Sequence, residues 1–91
     1  MTQYTRGANF ERRVIRKLVK DGWDCARTAG SHGAADIWAA RAGEFMFIQC
    51  QIDNYFEPAK TEALIDLAHR NNSQAWLAWR EGKKLVMRRV Y

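Results

Sequence analysis

The chain has 91 residues and a mass of 10.6 kDa; 47% are apolar and 12% aromatic, enough for one domain to bury a core unaided, which excludes a disordered chain. Lys and Arg number 15 against 10 Asp and Glu, a net charge of +5 and a pI near 9.6, so a polyanion is the expected partner, with DNA, RNA, an acidic protein and an anionic membrane all open. No apolar run approaches the roughly 20 residues of a membrane span, no leader pattern is expected, and Cys25 and Cys50 are too few and too far apart for a disulfide framework or zinc knuckle, which points to reduced thiols and a cytosolic setting.

With one proline and no repeat, residues 1–91 read as a single domain. Positive charge gathers at the ends: residues 1–30 carry seven Lys/Arg against three Asp/Glu, 31–60 two against four, and 61–91 six against three. Over 9–21, Phe10, Val14, Ile15, Leu18 and Val19 recur at helical spacing, with Arg12, Arg13, Arg16, Lys17 and Lys20 on the remaining face. The pattern predicts an amphipathic helix with a basic outer surface, capped by Asn9 and stopped at Gly22. A short strand over 23–28 follows, then a glycine-bearing turn over 29–33.

Residues 36–41 and 44–52 have strand composition, and Ala42 with Gly43 forms a hairpin signal between them. Alternation in the second of these strands sets Phe45, Phe47, Gln49 and Gln51 on one face and Met46, Ile48, Cys50 and Ile52 on the other. Pro58 opens a second helix whose apolar stripe is Ala59, Ala63, Leu64, Leu67 and Ala68, ending near Asn71 and Asn72. Strands over 74–80 and 84–90 close the chain around a turn at Glu81, Gly82 and Lys83. The predicted order is αβββαββ, an α/β fold.

Asp36 stands at a strand start, the hairpin brings Gln49, Cys50 and Gln51 alongside it, and Glu11 lies on the helix turn that packs over the sheet when Phe10 and Val14 face inward. Glu11, Asp36, Gln49 and Gln51 therefore converge. A carboxylate pair of this kind suits Mg²⁺, which takes oxygen ligands and keeps several waters.

The segments Arg6-Gly7 with Glu11-Arg12, Arg27-Thr28-Ala29-Gly30-Ser31, Asp36-Ile37-Trp38-Ala39 and Phe47-Ile48-Gln49-Cys50-Gln51 resemble the archaeal-type Holliday junction resolvases of the PD-(D/E)XK, or restriction-endonuclease-like, superfamily. The resemblance spans nearly the whole chain and implies a mixed central sheet flanked by helices. It implies a homodimeric, Mg²⁺-dependent endonuclease, with Mn²⁺ as substitute, acting on branched or four-way-junction DNA. Glu11 and Asp36 match the family's first two acids, and Ser31 matches a loop serine near the scissile phosphate. Gln49 and Gln51 stand where the family has Glu-x-Lys. Under this resemblance Glu11, Asp36, Gln49 and the Cys50 carbonyl are the metal ligands, Gln51 orients the attacking water, and Arg6, Arg12, Arg13, Arg16, Lys17 and Arg27 contact DNA. The lost carboxylate implies weaker metal affinity, and the lost cation implies a rate lower by on the order of a hundredfold.

Other readings of the same residues are simpler. Asp36 suits a turn cap, Glu11 the first turn of a helix, Gln49 and Gln51 a solvated sheet face, Ser31 and His32 a loop, and His69 a helix C-terminus. Trp23, Trp38, Trp76 and Trp79 suit a core or dimer contact better than base stacking. Two further function classes stand beside the nuclease: a pseudonuclease that binds structured DNA, as a phage or plasmid accessory factor, and a regulator whose basic face binds an acidic protein.

Overall fold

The computed structural model describes residues 3–28 and 33–91, with side chains from residue 6 onward. Its elements are α1 (Gln3–Lys20), β1 (Asp24–Arg27), β2 (Ile37–Arg41), β3 (Glu44–Cys50), α2 (Pro58–Arg70), β4 (Gln74–Glu81) and β5 (Lys84–Arg89), in the predicted order. The strands form one sheet in the order β1-β2-β3-β4-β5. Neighbours are antiparallel except β3 and β4, whose parallel pairing sets Gln49 beside Leu77 and Cys50 beside Ala78. A parallel pair needs a crossover, and α2 supplies it.

Alternation divides the core between the two faces of the sheet. On one face Phe10, Val14 and Leu18 of α1 meet Ile37, Ala39, Met46, Ile48, Cys50 and Ala78. On the other, Leu64 and Ala68 of α2 meet Ala35, Ala75, Leu77 and Trp79, with Phe47 packed at the margin. Both cysteines are free thiols. The β2–β3 hairpin turns through Ala42 and Gly43, with φ of 45° and 84°, the paired positive values of a type I′ turn. Gly22, at φ 91°, ends α1 as its position predicts.

Several boundaries differ from the sequence pattern. Asn9 is not a cap: α1 is already helical at Gln3, and Ala8, 7% exposed, packs the added length against the core. Glu11 consequently sits in the helix interior, outside any first turn. The second strand begins at Ile37, because the Asp36 carboxylate replaces a ladder carbonyl and accepts the Cys50 N–H at 2.8 Å. The third strand stops at Cys50, so Gln51 and Ile52 lie beyond it. In α2, Ala59 and Ala63 are exposed while Ile65 joins Leu67 as half-buried; alanines are too small to mark a face. The His69 ring and the Tyr91 hydroxyl hydrogen-bond at 2.6 Å, tying α2 to the end of the chain.

Candidate active site

Three backbone and side-chain ties fix Asp36 where β1, β2 and β3 meet. Its N–H donates to the Ile48 carbonyl at 2.8 Å, and its own carbonyl accepts the Thr28 N–H at 2.9 Å. Its Oδ2 accepts the Cys50 N–H. The Thr28 hydroxyl, donating to the Ala35 carbonyl at 2.7 Å, closes the same corner. Burial raises the Asp36 carboxyl above the ordinary value; the Cys50 N–H opposes the shift, the Glu11 charge adds to it, and Lys60 and Arg27 pull it down. Asp36 and Glu11 are thus electrostatic neighbours, as the sequence predicts.

Glu11 reaches the corner from α1, and its carboxylate accepts the Arg27 Nε–H at 2.9 Å, with both side chains largely withdrawn from solvent. Arg27, expected on DNA, therefore holds Glu11 as well. A cleft of about 90 Å³ opens beside Glu11, walled by Gly7, Phe10, Cys50, Gln51, Ile52 and Asp53. A larger groove of about 770 Å³, lined among others by Trp23, Arg41, Trp76 and Arg89, lies where β3 begins and touches none of these acids.

The two glutamines do not project together. Gln49 lies on the α2 face beside its register partner Leu77 and is only 6% exposed, so it is no solvated face residue. Its Oε1 is buried and has no hydrogen-bond partner. Gln51 has left the strand, donates its N–H to the Ala78 carbonyl at 2.9 Å and lines the cleft with Glu11. Burial, with the Asp36 and Glu11 charges, pushes the Cys50 thiol well up, and it is the Cys50 backbone N–H that meets Asp36.

Among the described residues no three His, Cys, Asp or Glu side chains stand together. A metal here would draw on two carboxylates and neutral oxygens. That donor set, with the orphaned Gln49 Oε1, fits a hard cation that keeps most of its waters. Ser31 and His32 lie outside the described residues. On α1, Arg6, Arg12 and Arg16 are exposed, while Arg13 donates to the Lys83 carbonyl at 2.7 Å and Lys17 pairs with Asp21 at 2.9 Å. The basic face is therefore partly committed to the fold. Sequence reasoning missed the Cys50 N–H, the Arg27 pair and Lys60, each brought in by a neighbouring element.

No helix among the described residues is long and apolar enough to cross a membrane. The crossover junction endodeoxyribonuclease Hjc of Methanocaldococcus jannaschii is 32% identical over 80 residues, a match covering 84% of this chain. The match spans 59% of that relative's length. The structure of Archaeoglobus fulgidus Hjc, a Holliday junction resolvase from an archaeal hyperthermophile, superposes with a TM-score of 0.78 at 22% identity, covering 90% of this chain and 70% of that one, which establishes a shared fold. The family model for archaeal Holliday junction resolvases (Hjc) matches residues 2–90, and the chain belongs to that family.

Proposed function

We propose that this chain is a metal-dependent endonuclease that cuts four-way-junction DNA as a homodimer. The observation that carries the reading is the half-buried Asp36, held by the Cys50 N–H at 2.8 Å within the field of the Glu11 carboxylate, in a chain of a resolvase family. Asp36 and Glu11 would hold Mg²⁺, or Mn²⁺ in its place, and Gln49 Oε1 and the Cys50 carbonyl would serve as neutral ligands. A bound Mg²⁺ supplies Lewis acidity and a water more readily deprotonated near neutral pH. Arg27 orients the Glu11 carboxylate, and the Cys50 N–H fixes Asp36. Gln51, in the cleft wall, orients the attacking water. Hydrolysis forms a P–O bond to that water and breaks the P–O bond to the leaving sugar oxygen, which takes up a proton as the water gives one up.

Ser31 contacts the scissile phosphate. Arg6, Arg12 and Arg16 follow the flanking phosphates, with Arg13, Lys17 and Arg27 joining them where their present partners allow. A second copy supplies the second cut, since one chain of 91 residues presents one such corner. The exposed Trp38, stacked on Phe45 at 5.9 Å between centroids, supports an apolar contact between copies.

Cleavage of a four-way junction with Mg²⁺ or Mn²⁺ tests this: paired cuts near the crossover are expected. Tight binding with no cut at any metal concentration overturns it. In that event a gain of cleavage in Gln49→Glu with Gln51→Lys identifies a DNA-binding pseudonuclease, the reading that the buried neutral Gln49 favours next.

A further inference from the structure

Beside Asp36, Gln51 is neutral and Arg27 is paired with Glu11. Lys60 is the next cation to consider. It belongs to the first turn of α2 and lies one and two turns before Leu64 and Ala68, the fully buried residues through which that helix meets the sheet. It thus continues the sheet-facing row of α2. Leu64 and Ala68 share their cluster with Ala35, the residue preceding Asp36. Helical side chains lean toward the helix N-terminus, so Lys60 leans to the end of α2 that the parallel β3–β4 crossover sets at the Cys50 end of β3, where Asp36 is held.

Three further observations agree. The Lys60 charge acts on the Asp36 carboxyl, pulling it down against burial. Its side chain is 61% exposed, and its ammonium lies 3.9 Å from the Glu57 carboxylate, a loose pair that leaves it free to turn to a phosphate. On the same face of the sheet, Gln49 Oε1 is buried without a hydrogen-bond partner.

We infer that Lys60 is the catalytic cation of this site, reaching from α2 to the scissile phosphate beside Asp36 and Gln49 and stabilising the negative charge that Gln51 cannot. The inference rests on the nuclease reading above. Lys60 contributes charge and transfers no proton, so the bonds made and broken are those of hydrolysis alone.

Single-turnover cleavage of a four-way junction by the full chain, with junction affinity measured separately in metal-free buffer, tests it. Lys60→Met keeps the stem and removes the charge. It is expected to slow cleavage by about a hundredfold, while affinity falls by no more than one lost phosphate contact. Lys60→Arg retains most of the rate, and Gln51→Lys placed on Lys60→Met restores it by returning a cation from the other wall. Native-rate cleavage by Lys60→Met overturns the inference alone, as does failure of Gln51→Lys to restore it. A native chain that cuts no junction overturns both this inference and the nuclease reading.

Discussion

Burial makes Asp36 a group that the fold holds at a cost in stability. Its folded carboxyl lies above the ordinary value of 3.8, so the folded chain binds the proton more tightly than the unfolded one. The penalty is absent below that ordinary value, develops as pH rises through the raised folded value and is complete at neutrality. Asp36→Asn keeps an oxygen for the Cys50 N–H and removes the charge. In metal-free urea unfolding it should therefore be the more stable protein at pH 7, with the difference vanishing in acid. The same change should lower junction cleavage by on the order of a hundredfold or more. Equal stability at pH 7 would show that burial does not govern this carboxyl. The acids were legible in the sequence because a carboxylate beside a strand and another on a helix face are visible one element at a time. Lys60, the pairing of Arg27 with Glu11 and the Cys50 N–H were not, because they arise from juxtaposition across the chain and, for Cys50, from a backbone atom.

The first helix shows how an element can be right in kind and misplaced at its edge. Its apolar stripe located the packed face except for Val19, which is 56% exposed, but Asn9 read as a cap, and only the burial of Ala8 reveals that the helix runs through it. Gly7 has no atom within 4 Å of where a Cβ would stand. Gly7→Ala should then stabilise the fold by about 0.5–1 kcal/mol through helix propensity, raising the melting temperature by a few degrees. A lower midpoint in thermal unfolding would contradict the open space found there. The second helix illustrates the converse: Ala59 and Ala63 satisfied the apolar spacing yet face solvent, since the sheet contact is carried by Leu64 and Ala68 alone among its fully buried residues.

At the scale of the whole molecule, the division of the core between the two helices follows the alternation of β3, with Met46 and Ile48 turned to α1 and Phe47 to the α2 side. That alternation was readable; where the sheet stays open was not. Trp38 is 37% exposed and lies flat against Phe45, their rings 9° apart. If this pair is the contact between copies, the native chain sediments as a dimer at micromolar concentration and Trp38→Asp as a monomer. The variant should retain the single-chain fold by circular dichroism and lose coordinated cutting of opposite strands. Unchanged sedimentation of the variant would move the interface elsewhere on the surface.

The bonds from Thr28 to Ala35 and Asp36 have a consequence for how such a domain evolves. They join the two ends of residues 29–34, so the corner holding Asp36 is closed independently of the path between them. Lengthening that path then costs mainly loop-closure entropy, about 0.6 kcal/mol for each doubling. The position of Asp36 is thereby mechanically insulated from the length of the chain between Thr28 and Ala35: one is free to diversify while the other stays in register.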